Sequence, residues 1–382
     1  MGKKRIPLRH VHLGTGAFGL GFVVPLVSAA GFQTVLANRA RGSAAYARNV
    51  ALQRHGSYSL VLMGKQPRTE EIPIAEFIFV DENEERFLDV VADPATRLCT
   101  TALRQGFLAS VPLLADALAY RLESGTTTTL YVVACETPAI GDSSTLRTAI
   151  LSHRPELATR VFEQRIHFVP CIVDRICNDP VLHEDTGRVS VTAEEFAEWL
   201  LQGPSPLERV LLTKRTEKTI SFVNDFAPFA RRKLWLVNGP HLLIALRAFV
   251  QHQEYLNRFL AEKENARLLT TILREAQDAF LGAESFFSKT ELTHYTNKIR
   301  ARFSSFPDST TRHLPRIARP RIHEFMADFY KKSGVIQLPH ALKRKRVAYQ
   351  TAQTLLLTTE LIANGRYAYD DAGQPIPIDG NV

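Results

Sequence analysis

A glycine pattern near the N-terminus constrains the fold of this chain more than any other feature. In the stretch VHLGTGAFGLGF, Gly14, Gly16 and Gly19 follow a short apolar segment and open a helical pattern. In dinucleotide-binding βαβ units, these glycines serve a tight turn, close approach of a pyrophosphate, and close packing of helix on strand. The N–H groups at the helix N-terminus also favour phosphate. We therefore expect a Rossmann-type cofactor site here, with Phe18 in the same loop.

Strand and helix patterns alternate over residues 1–190. One helix is predicted at 19–30, and a second ends at Gly56. Such alternation is typical of a parallel, doubly wound α/β sheet. The predicted strands are 9–13, 34–37, 57–64, 76–80, 97–103 and 127–135.

The pattern becomes helical after residue 190. Thr192 and Glu195 have the spacing of a capping box, which predicts a helix over TAEEFAEWLL. We expect a Rossmann domain at 1–190, an α-helical domain at 191–382, and an active-site cleft between them. The tail DDAGQPIPIDG predicts a surface loop. Further helices are predicted at 239–262, 264–282, 290–302, 321–333 and 339–363.

The end of the second predicted strand bears on the choice of cofactor. NAD sites usually carry Asp or Glu there, about twenty residues past the glycines. This chain has Asn38 and Arg39 instead, and an arginine can pair with the 2′-phosphate of NADP. We expect NADP to be preferred over NAD, although Arg39 could also stack on adenine, which either cofactor allows. Thr101, at the end of a later strand, is a further candidate contact.

The charge balance is compatible with several kinds of binding partner. Lys and Arg number 47 against 39 for Asp and Glu, and the sequence pI is about 9.3. The main basic run, residues 343–346, lies on an amphipathic helix pattern, where such runs are usually a solvated face. We expect no nucleic-acid partner; a basic surface also suits an anionic substrate or a phosphorylated cofactor.

The cysteines predict neither disulfides nor a metal site. Their spacing has no CxxC pair, which favours reduced thiols. His167 could join Cys171 and Cys177 as zinc ligands, but the spacing matches no zinc pattern. We expect no bound metal. The four cysteines are Cys99, Cys135, Cys171 and Cys177.

The N-terminus imitates a secretory signal, since MGKKR precedes an apolar run. The glycine pattern accounts for that run, and no apolar stretch reaches the length of a membrane span. Ile6 occupies the position where myristoylation of Gly2 would need Ser or Thr. We expect a cytoplasmic protein without a membrane partner.

A second motif indicates the type of redox chemistry. In KLWLVNGPH, Lys233, Asn238 and His241 have the spacing K-x-x-x-x-N-x-x-H. With this motif, the chain resembles the polyol-specific long-chain dehydrogenases, the family of mannitol 2-dehydrogenase and mannitol-1-phosphate 5-dehydrogenase. The resemblance covers about residues 10–325. Other segments that resemble the family are GTGAFGLGF, VVACET (132–137), VDRI (173–176), EEFAEWL, and RF at 302–303.

The resemblance implies a Rossmann domain, a helical domain, and catalysis without zinc. In such a reaction a side chain must take the hydroxyl proton. Lys233 suits that role because its neighbours are apolar, and burial lowers the pKa of an amine. Asn238 and His241 would donate hydrogen bonds to the substrate oxygen. Gly239 and Pro240 suit the first turn of the helix that carries His241.

The chain departs from the family beside the predicted substrate. The family's Cys-Asp/Glu-Asn ends here in Thr137, and its Arg-Phe-x-Asn, which starts at Arg302, ends in Ser305. Threonine and serine offer fewer donors than asparagine, which argues against mannitol itself as the substrate. Glu136 and Asp174 could relay protons or form a structural pair. We assign Glu136, Thr137, Asp174 and Arg302 to the substrate site.

A basic segment at 310–325 would suit a phosphate or carboxylate on the substrate, or form a solvated face. The sequence therefore predicts an NAD(P)-dependent dehydrogenase acting on a polyol or its phosphate, as a monomer or small homo-oligomer. The alternatives are a hexuronate reductase, a specialised biosynthetic dehydrogenase, and a dinucleotide-binding regulator without catalysis. The basic residues are Arg312, His313, Arg316, Arg319, Arg321 and His323.

Overall fold

The computed structural model has two compact units, Met1–Phe226 and Ala227–Val382. None of the helices in the described part of the chain has the length and apolar character that a membrane span requires. The described residues are 7–40, 45–64, 66–103, 107–136, 142–203, 206–309, 367–369 and 375–377.

The first unit alternates strands and helices, as the sequence predicts. A π-helix at Gly19–Val23 directly precedes the first α-helix. The strands are β1 Arg9–Leu13, β2 Gln33–Asn38, β3 Ser57–Met63, β4 Arg68–Pro73, β5 Glu76–Phe79, β6 Thr96–Thr101, β7 Leu130–Ala134, β8 Ile166–Phe168, β9 Cys171–Asp174, β10 Val181–Leu182, β11 Val189–Glu194, β12 Glu198–Gln202 and β13 Ile220–Val223. The α-helices are α1 Val24–Ala29, α2 Tyr46–His55, α3 Glu84–Ala92, α4 Val111–Glu123, α5 Ser143–His153, α6 Arg160–Arg165 and α7 Glu208–Leu211.

The main sheet has six parallel strands in the order β5-β2-β1-β6-β7-β8. The chain moves outward in one direction from β1 to β2 and β5, and in the other from β6 to β8. Ligands of open α/β sheets bind beyond the carboxyl ends of the strands where the direction reverses. That position is here between β1 and β6, and the glycine loop follows β1 directly. The prediction of a Rossmann-type doubly wound sheet is confirmed.

The two faces of this sheet pack against different layers. Val11 and Leu13 of β1 belong to a core cluster with side chains of α3, α4 and α5. His10 and His12 alternate with them along the strand and are fully buried. Leu36 of β2 lies on the same face of the sheet as these histidines. It belongs to a core cluster with side chains of α1 and of the sheet that contains β3 and β4. His10 and His12 therefore lie beneath the helix that follows the glycine loop.

The prediction of a helix from Thr192 is wrong. The residues form β11 and β12, and Thr192 lies opposite Val61 of β3 in a parallel pairing. Glu195, the other half of the expected capping box, forms an ion pair with Arg68. These long-range pairings override the local pattern. Because β11 to β13 join sheets with β3 and β9, the units divide at residue 226, whereas the sequence predicts 190.

The described helices of the second unit lie between Ala227 and Ser305. A π-helix at Leu234–Asn238 joins its first two α-helices. The predicted helix 239–262 is interrupted near His252, which has a positive φ of 54°. Ser288 and Glu291 form a capping box at the start of the last described helix. The helices are α8 Ala227–Lys233, α9 Gly239–Val250, α10 Leu256–Leu260, α11 Lys263–Ala283 and α12 Lys289–Ser305.

Near the C-terminus, β14 (Tyr367–Tyr369) pairs with β15 (Pro375–Pro377) in antiparallel fashion. The sequence predicts a surface loop over DDAGQPIPIDG (370–380), so β15 differs from that expectation. The helices predicted at 321–333 and 339–363 lie outside the described residues. The helical character of the second unit is confirmed for the residues from 227 to 309.

Candidate active site

The three glycines of the loop have three different surroundings. Gly14 has a φ of +111°, and a Cβ there would lie 2.6 Å from the carbonyl oxygen of Ala102. At Gly16 a Cβ would meet nothing within 4 Å. At Gly19 a Cβ would overlap Nε2 of His12, well inside the 3.0 Å that real Cβ atoms keep. Turn geometry therefore requires Gly14 and helix packing requires Gly19, whereas the space at Gly16 is open to a ligand.

The π-helix after the loop presents two backbone carbonyls to side chains. Pro25 has no N–H, so it cannot bond to the carbonyl four or five residues earlier, at Gly21 or Leu20. Tyr58 donates its hydroxyl to Leu20 O at 2.6 Å, and Arg175 donates to Gly21 O at 3.0 Å. Arg175, in the VDRI segment, therefore anchors the helix that carries the glycine loop.

Side chains of β2 and α2 fix the loop residue between the first two glycines. Asn38 donates through Nδ2 to Thr15 Oγ1 at 2.8 Å, and Thr15 Oγ1 donates to Asn49 Oδ1 at 2.7 Å. Arg48 donates to the carbonyl of Thr15 at 3.1 Å. The sequence predicts Asn38 as a site residue but gives no indication of Asn49 or Arg48. All three restrain the backbone of the loop before any ligand binds.

Arg39 lies at the end of β2 and donates to the carbonyl of Ala109 at 3.1 Å. Leu108, beside that carbonyl, is 63% exposed, which is unusual for a leucine. The neighbouring N–H of Ala40 donates to the carboxylate of Asp81 at 2.7 Å. A carboxylate thus does lie beside β2, but it comes from the segment after β5, where the glycine spacing gives no reason to look.

Glu136 connects the ends of β6 and β7. Its carboxylate accepts from the N–H of Leu103 at 2.6 Å and from the hydroxyl of Thr101 at 3.2 Å. Residues 101–103 border the glycine loop, because the carbonyl of Ala102 lies close to Gly14. Thr101 and Glu136 therefore shape the edge of the predicted cofactor site.

Asp174 and Phe18, also predicted as site residues, lie against other residues of the first unit itself. Asp174 is buried on β9, opposite Glu198 of β12. Phe18 stacks on Phe22 with ring centroids 4.7 Å apart. Thr137, predicted as a substrate contact, lies outside the described residues.

A buried histidine pair lies beneath the glycine loop. Thr100 Oγ1 is 2.7 Å from Nε2 of His10 and 2.6 Å from Nδ1 of His12. His10 Nδ1 also contacts Thr34 Oγ1 at 3.1 Å. Burial lowers the pKa of His12 to about 3, and burial together with the charge of His12 lowers the pKa of His10 well below its ordinary value. Both rings are therefore neutral in the folded protein near neutral pH.

The stability of the protein should consequently fall as the pH is lowered from 6.5 towards 3. In that range an unfolded His12 binds a proton and the folded one does not, so acid favours the unfolded state. Each such histidine contributes a slope of about 1.4 kcal/mol per pH unit. Urea denaturation between pH 6 and 4 should show a shallower slope for His12→Asn, whereas the exposed control His153→Asn should match the wild type. Equal slopes for both variants would contradict the neutral, buried assignment.

The KLWLVNGPH motif occupies the junction of three helical segments in the second unit. Lys233 is the last residue of α8, Asn238 ends the π-helix, and His241 lies in the first turn of α9. The N–H of Gly239 bonds to Leu234 O, five residues earlier. Pro240 lacks the N–H that would close an ordinary α-helical turn here, so the wide turn is consistent with the sequence.

This wide turn explains the spacing of the three polar residues. Residues five apart lie on different sides of an α-helix, but a π turn closes between residues i and i+5. It therefore brings Asn238 to the same side as Lys233. Asn238 and His241 are three apart, a spacing that also shares a helix face. All three are partly exposed, whereas the intervening residues Trp235, Leu236 and Val237 are buried.

The end of α12 supplies further site residues. His241 Nε2 lies 2.5 Å from Oδ2 of Asp308, and its ring centroid is 5.0 Å from that of Phe303. Arg302, predicted as a substrate contact, is buried on α12. Ser305 donates its hydroxyl to the carbonyl of Arg302 at 3.3 Å. The sequence points to the Arg-Phe pair but gives no indication of Asp308, which lies 67 positions from its histidine partner.

Within the part of the chain that the structure describes, no three His, Cys, Asp or Glu side chains are grouped so that they could hold a metal ion. Cys171, which the sequence offers as a zinc ligand with His167 and Cys177, instead contacts the carbonyl of Ala134. The surroundings of the glycine loop do suit a dinucleotide. They combine open space at Gly16, a following helix N-terminus, and a position at the switch point of the sheet.

A doubly wound sheet with this loop defines the first unit as a dinucleotide-binding domain of the Rossmann type. The Rossmann-domain model of mannitol dehydrogenases matches residues 8–213, and the mannitol dehydrogenase C-terminal domain model matches residues 225–364. The chain belongs to the mannitol dehydrogenase family. The predicted resemblance is confirmed, as is the prediction of an oxidoreductase that acts on CH–OH groups.

Relatives and solved structures agree with this membership. The mannitol-1-phosphate 5-dehydrogenase of Anoxybacillus flavithermus is 27% identical over 82% of this chain and 78% of its own length. That of Bacillus subtilis is 29% identical over 79% and 77%. Two structures share the fold: Pseudomonas fluorescens mannitol 2-dehydrogenase in a ternary complex with NAD and D-mannitol, and a substrate-free D-sorbitol dehydrogenase. The mannitol 2-dehydrogenase has a TM-score of 0.66 and 17% identity, and the match covers 89% of this chain and 80% of that chain. The sorbitol dehydrogenase has a TM-score of 0.70 and 18% identity, and the match covers 96% of this chain and 82% of that chain.

Proposed function

We propose that this enzyme interconverts a polyol, or a polyol phosphate, with the corresponding ketose, using NAD(P) as the hydride carrier and no catalytic zinc. The observation that carries the proposal is the common helix face shared by Lys233, Asn238 and His241 in a chain with a dinucleotide loop. The bound nicotinamide supplies or accepts the hydride. The protein supplies the proton transfer and holds the reacting oxygen.

Lys233 is the general acid/base of the proposed reaction. In the oxidative direction its neutral amine takes the proton of the substrate hydroxyl, and in reduction its ammonium returns that proton to the carbonyl oxygen. The Asn238 amide donates to the same oxygen, where negative charge develops. The buried side chains of Trp235, Leu236 and Val237 fix the π turn from below. They thereby hold both polar groups in position.

The substrate class is proposed from two observations. The relatives named mannitol-1-phosphate 5-dehydrogenase act, by that name, on a phosphorylated polyol. The basic segment 310–325, although outside the described residues, would suit such an anion. A screen that follows NADH or NADPH absorbance should include mannitol 1-phosphate, mannitol, sorbitol and hexuronates, each with both cofactors.

The screen separates the alternatives. Turnover of mannitol 1-phosphate well above that of mannitol would support a phosphorylated substrate. Preferential turnover of hexuronates would support the reductase alternative. Binding of the dinucleotide without turnover of any polyol, polyol phosphate or uronate would contradict the enzymatic proposal and favour a dinucleotide-binding regulator.

We further propose that NADP is preferred over NAD, because Arg39 stands at the end of β2 and no carboxylate follows that strand directly. Arg39→Ala should raise KM for NADPH by roughly 10–100-fold, the worth of a charged hydrogen bond, and leave KM for NADH nearly unchanged. The exposed Arg54, on α2, provides the control variant Arg54→Ala. A clear preference of the wild type for NADH would contradict the proposal and direct attention to Asp81.

A further inference from the structure

The ring of His241 is held by two side chains from one segment. Asp308 Oδ2 lies 2.5 Å from its Nε2, and the Phe303 ring packs against it with centroids 5.0 Å apart. His241 stands in the first turn of α9, whereas Phe303 is on α12 and Asp308 follows that helix. The contact is therefore not a local by-product of helix spacing but joins two separate elements.

Asp308 is itself firmly placed. It is only 2% exposed, and its carbonyl accepts from the N–H of Leu256, at the start of α10, at 3.0 Å. Its own N–H donates to the carbonyl of Phe306 at 2.8 Å. A buried carboxylate is costly unless it is hydrogen-bonded. The two backbone hydrogen bonds fix Asp308 where its side chain can reach His241.

This contact decides which nitrogen of the ring carries the proton. An ionised carboxylate can only accept hydrogen bonds, so Nε2 of His241 must be the donor. In the neutral ring the other nitrogen, Nδ1, is then an acceptor. We propose that Asp308 is a positioning residue that fixes His241 as the Nε2–H tautomer. Nδ1 is the ring atom that meets the substrate.

This inference rests on the proposed function and changes one part of it. The sequence suggests that His241 donates a ring N–H to the substrate oxygen. With Nε2–H shared with Asp308, the neutral ring accepts a hydrogen bond from a substrate hydroxyl instead. Only the imidazolium, with both nitrogens protonated, donates through Nδ1 to a carbonyl. The donor to the reacting oxygen is therefore Asn238, and His241 orients a hydroxyl of the polyol.

The tautomer can be measured directly without substrate. The protein has 12 histidines, and a His241→Gln variant identifies the signals of His241 in long-range 1H–15N spectra of histidine-labelled protein. At a pH where the ring is neutral, the wild type should show the Nε2–H tautomer. In Asp308→Asn the amide N–H₂ can donate to Nε2, and the signals should shift towards the Nδ1–H form. Asp308→Glu, which keeps an acceptor, should retain the wild-type form.

Activity provides the second readout. Asp308→Asn should lower kcat for polyol oxidation by roughly 10²-fold, as expected when the carboxylate behind a working histidine is lost. KM for the cofactor should not change. Asp308→Glu should recover part of the activity. Phe303→Leu, which removes the ring contact but not the acceptor, should affect kcat less and leave the tautomer unchanged.

The outcomes distinguish this inference from the proposed function. An Nδ1–H tautomer in the wild type, or no change of tautomer in Asp308→Asn, would overturn the role of Asp308 whatever the substrate. A change of tautomer with unaltered kcat in an active enzyme would overturn its part in positioning for catalysis. If the wild type turned over no polyol at all, the proposed function would fail, and the NMR result would still decide whether Asp308 sets the tautomer.

Discussion

Replacement of Lys233 by alanine is expected to lower kcat by roughly 10²–10⁴-fold, the usual contribution of a general acid or base. The proton of the substrate hydroxyl then has no acceptor on the protein when hydride is transferred. Lys233 is the last residue of α8 and is partly exposed, so its loss removes little packing. The Kd of the dinucleotide, measured by fluorescence titration, and Tm should therefore stay close to the wild-type values.

Two further lysine substitutions serve as controls for this experiment. Lys263→Ala removes an exposed lysine at the start of α11 and should leave kcat unchanged. Lys233→Arg keeps the charge, but a guanidinium does not release its proton near neutral pH, so this variant should be nearly as slow as alanine. Turnover of Lys233→Arg at the wild-type rate would show that the positive charge, not proton transfer, is what the site uses.

The π turn places the three motif residues on one side of the helix, and hydrophobic patterning alone could not reveal it. Hydrophobic periodicity distinguishes strand from α-helix, but a single wide turn changes it too little to be recognised. Pro25 and Pro240 each stand directly after such a turn, at the second position of the α-helix that follows. In both places the proline removes an N–H that would favour the narrower turn. A proline here is thus the only local indication of the geometry.

Other features were predictable because they depend on neighbouring residues. The glycine loop, β1 and β2 follow from short-range patterns, and the structure agrees with them closely. The helix expected at Thr192 does not form, because these residues pair as β11 with β3, a strand that is far away in the sequence. Asp308 is not predictable for the same reason, since nothing near it in the sequence points to His241. Long-range contacts decide both the pairing of β11 with β3 and the contact of Asp308 with His241.

The second large effect is expected for Gly19→Ala, which should lower the stability of the protein by about 3 kcal/mol or more, the upper range for overpacking a core. Its Cβ would overlap Nε2 of His12, and His12 cannot turn away without losing its contact with Thr100 Oγ1 at 2.6 Å. The helix and β1 must then separate. Thermal unfolding should show a Tm lower by roughly 2–4 °C for each kcal/mol.

A double variant tests the cause. His12→Ala removes the ring that the new methyl group strikes, so His12→Ala/Gly19→Ala should lose less stability than the sum of the single variants. Strictly additive losses would show that the overlap with His12 is not the source of the effect.

Gly16→Ala distinguishes folding from ligand binding at the same loop. Because a Cβ at residue 16 meets nothing within 4 Å, this variant should unfold at the wild-type temperature. Its methyl group would nevertheless occupy the space proposed for the pyrophosphate, so the Kd of the dinucleotide should rise by roughly 10-fold or more. A stable Gly16→Ala protein with unchanged affinity would contradict the proposed cofactor position, whereas a stable Gly19→Ala protein would contradict only the packing of the helix on β1. The two glycines, three residues apart, thus separate the requirements of the fold from those of the cofactor.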